Sequence, residues 1–195
     1  MILFSTSITN NQLFVIKKGQ IVEIPFNSSI YSEEAIQFSS KKEEMMWQVQ
    51  KRNYNLFDGF LVGEHQGVEH FKLGQRKGIN VGGKNAPLYV IGINEVNNQL
   101  FVGEGEKHPG LWANVLSFSD NQIQLQDLQL NNDESELGIE VSIHSSVTDI
   151  DMIATLYPFD GILFLEFEAP VSIAIQGHPL EIYFDHHSTA TIKIN

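Results

Sequence analysis

Cysteine is absent from the 195-residue sequence. A chain without a thiol forms no disulfide, no thiolate metal site and no cysteine nucleophile, and such a composition fits a reducing compartment. No apolar run approaches the roughly 20 residues that a membrane-spanning helix needs. The opening stretch, MILFSTSITNNQ, has no basic segment, so we expect no secretory signal. These absences predict a soluble cytoplasmic protein that does not contact a membrane.

Basic residues are almost missing from the C-terminal half. Lys193 is the only one of the 12 Lys and Arg residues after position 109, whereas this half carries 13 Asp and Glu. Residues 1–109 carry 11 Lys and Arg and 11 Asp and Glu, so the net charge of −12 lies in residues 110–195. Because phosphate backbones are bound by Lys and Arg, an RNA contact is expected from the first half. The acidic half is either a solubilising surface or the face that meets a basic protein.

Short segments with a period of two residues dominate the sequence. Tight-turn residues at Asn10-Asn11 and Lys18-Gly19 separate apolar runs and predict hairpins near the N-terminus. We predict a mainly β (α+β) fold, with a β-rich unit containing one helix over residues 1–110. An acidic antiparallel β-barrel follows over residues 111–195, where the strand-like segments are NQIQLQDLQL, IEVSIHSSV, GILFLEFEAPVSIAI, LEIYFD and ATIKI.

One helix is predicted in the N-terminal unit. Ser40 and Glu43 have the spacing of a capping box, in which each side chain bonds to a backbone N–H of the first turn. Met45, Met46 and Val49 follow on one helical face. This pattern indicates a helix that begins after Ser40 and packs its methionines into the core.

The segment GEHQGVEHFKLGQRKG, at residues 63–78, is glycine-rich and basic. Gln75, Arg76 and Lys77 stand between glycines, where a constrained loop can present them to phosphates or bases. The spacing matches neither GxGxxG after a strand nor GxxxxGK[ST], so it does not predict a nucleotide P-loop. From the residues alone, a structural turn and a ligand loop remain equally open. The glycines of this region are Gly63, Gly67, Gly74, Gly78, Gly82 and Gly83.

Other polar groups give no clear catalytic pattern. His65, His70 and His108 are candidates for acid–base chemistry, although histidines held in loops are more often structural. Asp185-His186-His187 lacks a further ligand at a diagnostic spacing. We therefore assign no catalytic residue, no metal and no cofactor.

Two long stretches resemble the central region of the tRNA-specific 2-thiouridylases (the MnmA/TrmU family): DGFLVGEHQGVEHFKLGQRKGINVGG and PLYVIGINEVNNQLFVGEGEKHPGLW. Phe167, Pro170, Gly177 and Tyr183 resemble the family's C-terminal barrel more loosely. The resemblance implies a small central domain at about residues 57–110 and a barrel similar to the second domain of elongation factors. The matching positions of the central region are Gly63-Glu64-His65, Gly67, Gly74-Gln75-Arg76-Lys77-Gly78, Gly82-Gly83, Pro87, Tyr89-Val90, Asn98, Val102-Gly103 and His108.

The sequence departs from this family in its catalytic parts. The resemblance implies an ATP-binding domain with a Ser-Gly-Gly-x-Asp-Ser loop and two catalytic cysteines, and neither is present here. In the barrel, SIHSSV replaces an Arg-Tyr pair, and Gln176-Gly177-His178 replaces Pro-Gly-Gln. We therefore expect no catalysis by this chain alone.

The resemblance implies a stand-alone homologue of the tRNA-binding part of a thiouridylase. It would bind tRNA, or dock onto a separate ATPase or sulfur-carrier protein, in wobble-uridine thiolation. We expect the basic patch formed by the glycine-rich loop to extend through Lys41, Lys42, Lys51 and Arg52 if these residues lie on the same face of the protein. Two alternatives remain: a protein-interaction module that kept the fold and lost RNA binding, and an enzyme for a small molecule, which no residue constellation supports. The predicted RNA-binding residues are of two kinds. Phosphate contacts are expected from Lys72, Arg76, Lys77 and Lys84, and shaping of the loop is expected from Gln75 and His65.

Overall fold

A computed structural model describes residues 18–32, 36–119, 123–125, 136–148, 151–183 and 190–192. Within these residues the chain is mostly strands with one α-helix, which confirms the mainly β prediction. None of the helices described there is long and apolar enough to cross a membrane. The elements are β1 (Gly19–Glu23), α1 (Lys41–Gln50), β2 (Phe60–His65), β3 (Leu88–Asn94), β4 (Gln99–Glu104), β5 (Trp112–Ser119), β6 (Ile123–Leu125), β7 (Ile139–Ser145), β8 (Met152–Phe159), β9 (Ile162–Ser172), β10 (Leu180–Tyr183) and β11 (Ala190–Ile192).

The first sheet has the strand order β2-β1-β4-β3. Strand β1 pairs antiparallel with β2 and parallel with β4, while β3 and β4 form an antiparallel hairpin. Since β1 has a neighbour on each side, it offers no edge to the hairpin predicted across Lys18-Gly19, and that prediction is wrong. The hairpin predicted at Asn10-Asn11 lies outside the described residues.

The second sheet has the order β5-β9-β8-β7-β10-β11-β6, and all its neighbours are antiparallel. Its two edge strands, β5 and β6, are consecutive in the chain. The link from Ser119 to Ile123 reaches at most about 15 Å, whereas a flat seven-stranded sheet would separate its edges by about 29 Å. The sheet must therefore curve strongly. Among the described residues β5 and β6 do not pair, so closure into the expected barrel remains a prediction.

Helix α1 forms where the sequence predicts it. Ser40 is the N-cap, and its Oγ accepts a hydrogen bond from the Glu43 N–H at 3.2 Å. The reciprocal bond is displaced by one residue, because the Glu43 carboxylate accepts from the Ser39 N–H at 2.8 Å instead. The apolar face of α1 then packs against the second sheet, with Met45 in a buried cluster formed with Val115, Tyr157, Phe159 and Phe164.

The two sheets share a hydrophobic core. Val22 and Phe101 of the first sheet lie in one cluster of buried side chains with Leu156, Leu165 and Ile182 of the second. The first sheet ends at Glu104 and the second begins at Trp112. The division into units at residues 110 and 111 stays a prediction.

Candidate nucleic-acid interface

Residues 66–87 form a long loop between β2 and β3, and a buried histidine fixes its start. His65 is 5% exposed, and its Nδ1 accepts a hydrogen bond from the Gly67 N–H at 3.0 Å. The ring lies so close to Gly19 that a Cβ there would be 2.5 Å from it. Asn98 continues the support, since its Oδ1 accepts from the Val68 N–H at 3.3 Å. His65 thus shapes the loop from below and is too buried to touch an RNA directly.

Gln75 closes a turn at the centre of this loop. Its side-chain Oε1 accepts from the Lys72 N–H at 2.9 Å, and its Nε2 donates to the Lys77 carbonyl at 2.8 Å. Both polar atoms of the side chain therefore serve the loop itself. The structure places Gln75 as a residue that holds its neighbours in position.

The base of the turn is hydrogen-bonded to the first sheet and lies close to Ala174, which follows β9. The Gly74 N–H donates to the Val90 carbonyl at 2.8 Å, and the Val90 N–H donates to the Gln75 carbonyl at 2.9 Å. Gly74 has a φ of +77°, which favours glycine, and a Cβ there would lie 2.8 Å from the Cβ of Ala174. The loop consequently leaves the body of the protein at a fixed point.

Three cations project from this turn. Lys72, Arg76 and Lys77 are exposed, and none of their side chains forms a hydrogen bond or ion pair with the residues that the structure describes. Exposed cations on a fixed backbone can approach phosphates without first breaking an internal ion pair. The structure thus brings together three of the predicted contact residues.

Lys84 differs from these three because it already has an anionic partner. Its ammonium group forms an ion pair with the half-buried carboxylate of Glu23 on β1. This pair ties the second half of the loop to the first sheet. A phosphate contact by Lys84 would have to displace Glu23, so we do not include Lys84 in the interface.

The cations of α1 and its C-terminus are also engaged within the protein. Lys41 pairs with Glu166 at 2.9 Å, Lys42 pairs with Asp160, and Lys51 donates to the Ser32 carbonyl at 2.6 Å. Arg52 donates to the Gly110 carbonyl at 3.1 Å. These bonds join the helix to the second sheet and to neighbouring loops. They leave no set of free cations at α1 to extend the patch around the loop.

His108 has a structural environment as well. The ring is fully buried, with Nε2 donating to the Ile24 carbonyl and Nδ1 accepting from the Gly110 N–H, both at 3.0 Å. Burial lowers the pKa of His108 below its ordinary value of 6.5. The glycine at position 103 lets the ring pack, since a Cβ there would lie 2.5 Å from it. Both ring nitrogens of His108 bond to backbone groups, so the histidine supports the fold.

Metal binding finds no support in the part of the chain that the structure describes. No group of three or more His, Cys, Asp or Glu side chains there could hold a metal ion. Asp185-His186-His187 lies outside the described residues.

The segment that carries the loop matches a known domain. Residues 44–104 match the family described as the tRNA methyl transferase PRC-barrel domain. This range contains most of α1, the strands β2 to β4 and the loop at residues 66–87 that carries the three exposed cations. The first half of the chain therefore contains a domain of the class found in tRNA-modifying proteins.

Comparison of the whole chain with known proteins finds relatives that share most of its length. The tRNA-specific 2-thiouridylase MnmA of Christiangramia forsetii is 36% identical over 163 residues, which cover 83% of this chain and 40% of that protein. The enzyme of the same name from Flavobacterium johnsoniae is 33% identical over 87% of this chain and 43% of its own length. That of Karelsulcia muelleri is 34% identical over 86% of this chain and 40% of its own length. These matches confirm the resemblance: the chain is a partial relative of the tRNA-specific 2-thiouridylases and spans about two fifths of their length.

Proposed function

We propose that this protein binds tRNA through the turn at residues 72–77. The observation that carries the proposal is the set of three exposed cations, Lys72, Arg76 and Lys77, on a turn that Gln75 and Gly74 hold in place. The turn lies inside the segment that matches a domain of tRNA-modifying proteins. Fixing the backbone that carries these cations before RNA arrives lowers the conformational entropy lost on binding.

The binding would serve tRNA 2-thiolation, the activity that the relatives' name states. The 195 residues contain no cysteine and so no thiol that could carry sulfur. We propose that the protein acts in the cytoplasm and holds the tRNA so that its wobble uridine can be modified. A separate ATPase or sulfur-carrier protein would supply the chemistry. On this proposal the chain is not catalytic alone.

A direct test measures tRNA binding by fluorescence anisotropy at low salt. The wild-type protein is expected to bind with a Kd on the order of micromolar, as non-specific phosphate contacts do. The Arg76→Ala/Lys77→Ala variant should bind at least about tenfold more weakly, a loss of ~1.4 kcal/mol.

The matched control is Lys42→Ala/Lys51→Ala. It removes the same charge, but from two lysines that are engaged within the protein. This control should bind like the wild type. Equal losses in the two double variants would mean that net charge, and not the loop, governs the affinity. An absence of tRNA binding even at low salt would reject the proposal and favour the alternative of a protein-interaction module.

A further inference from the structure

The second sheet carries carboxylates of two kinds. Those near α1 are matched by its lysines: Asp160 pairs with Lys42, and Glu166 pairs with Lys41. Glu136 accepts a hydrogen bond from the backbone N–H of Lys41. The remaining carboxylates described in residues 110–183 form no ion pair with any Lys or Arg that the structure describes, and they are Glu140, Asp151, Glu168 and Glu181.

These four carboxylates converge on one groove on the outside of the second sheet. Two adjoining clefts make up the groove, one of about 570 Å³ and one of about 550 Å³, and both are lined by Asp151 and Ile153. The first also contains Glu140 and Glu181, and the second contains Glu168. Strand register explains the arrangement, because β8, β7 and β10 are neighbours and each points alternate side chains outward.

Within the first cleft, the acidic one, two of the carboxylates bond to neighbouring side chains, and neither partner is a Lys or Arg. Asp151 Oδ1 lies 3.0 Å from His144 Nδ1, and Glu181 accepts a hydrogen bond from the Tyr183 hydroxyl at 2.5 Å. The sequence offers no Lys or Arg between residues 110 and 192. Compensating positive charge would therefore have to come from another part of the chain or from another molecule.

The second cleft is predominantly apolar and has an aromatic side chain at its edge. Trp112 is 43% exposed and Ile153 is 40% exposed, although both lie in strands. Phe167, Pro170 and Val171 complete the apolar lining. Exposed apolar side chains gathered in a concave surface are typical of a binding groove, and tryptophan is enriched among residues that dominate protein interfaces.

We propose that this groove binds a basic segment of a partner protein that carries an apolar or aromatic side chain. The apolar side chain would enter the cleft between Trp112 and Ile153, and flanking Lys or Arg residues would meet Asp151, Glu168 and the acidic cleft. An RNA ligand does not fit, because its phosphates would face four carboxylates that form no ion pair with any Lys or Arg that the structure describes. The proposal is independent of tRNA binding by the loop, which lies in the first half of the chain.

The test uses Trp112 as its own reporter. The chain has two tryptophans, so a Trp47→Phe background leaves Trp112 as the only one. Three synthetic peptides are titrated while Trp112 emission is followed: Lys-Leu-Lys-Phe-Lys-Leu-Lys, its counterpart with Glu in place of Lys, and Lys-Gly-Lys-Ser-Lys-Gly-Lys. The basic apolar peptide should shift the emission and bind at least tenfold more tightly than the basic polar one. The acidic peptide should not bind, and raising the salt concentration should weaken the binding that is seen.

Substitutions then locate the contact. Asp151→Asn/Glu168→Gln and Ile153→Ser should each weaken binding of the basic apolar peptide at least fivefold. The control Glu69→Gln/Glu106→Gln removes the same charge from exposed positions in the first half and should bind like the background protein. Equal affinity for the two basic peptides, or equal losses in the groove variant and the control, would show attraction by net charge alone and would overturn the proposal.

Discussion

Replacing Gln75 with alanine would test whether this side chain holds the cationic turn in place. The substitution removes two hydrogen bonds, one from the Lys72 N–H and one to the Lys77 carbonyl. Each bond contributes a net stabilisation of about 0.5–1.5 kcal/mol. The free energy of opening the turn should therefore fall by about 1–3 kcal/mol. The backbone bonds between Val90 and the base of the turn remain.

Amide hydrogen exchange at Lys72 measures this change directly, because its N–H is the donor to Gln75. A loss of about 1–3 kcal/mol accelerates exchange at that amide by roughly 5- to 150-fold. Because these bonds also stabilise the native state against global unfolding, the Tm should fall as well, by up to roughly 2–4 °C for each kcal/mol lost at this size.

The Gln75→Glu variant is the matched control. It keeps an oxygen for the Lys72 N–H but loses the donor to the Lys77 carbonyl, so the Lys72 amide should keep most of its protection. Exchange of Lys72 in Gln75→Ala within twofold of the wild-type rate would refute the proposed role. A large fall in Tm without a local change would refute it too.

Two further predictions concern the supports of the loop and the first sheet. Gly74→Ala should destabilise the protein by at least about 1 kcal/mol in urea, because a Cβ would strain a positive φ and meet Ala174, whereas Gly82→Ala, with open space around it, should not. Equal urea midpoints for these two variants would contradict that reasoning. Because burial lowers the pKa of His108, its contribution to stability is present above about pH 6.5 and is lost as the pH falls through the folded-state value, where protonation breaks the Gly110 bond. Urea midpoints at pH 7.5 and 5.5 should therefore differ less in His108→Gln than in the wild type, and an unchanged difference would exclude His108 as the cause.

Local chemistry made part of the fold predictable. The helix at Ser40 depends on a cap and an apolar face within ten residues, and both are visible in the sequence. The alternating pattern likewise indicated a mainly β chain. The parallel pairing of β1 with β4 was not predictable, because it joins segments about 80 residues apart and no local turn signals it.

The candidate site was predictable in its residues more than in their roles. The glycine-framed segment correctly marked a loop with Lys72, Arg76 and Lys77 on its surface. Whether a lysine is free depends on distant partners, however, and Lys84 meets Glu23 across 61 positions of the sequence. A loop-shaping role was expected of Gln75, but the sequence did not indicate which backbone groups its side chain would bond, because that depends on the turn conformation.

The acidic half shows the same limit at a larger scale. Composition placed the charge of −12 in residues 110–195. It did not indicate which carboxylates would be matched by the lysines of α1 and which would gather around an apolar cleft. That division follows from the register of the strands and from the position of the helix on the second sheet.

The most direct test of the central claim is the salt dependence of tRNA binding. Three phosphate contacts predict that the logarithm of the binding constant falls with the logarithm of salt concentration with a slope of about −2 to −3. The Arg76→Ala/Lys77→Ala variant should retain a slope of about −1, since Lys72 alone remains. Equal slopes for the wild type and this variant would contradict the account, because Arg76 and Lys77 would then make no phosphate contact.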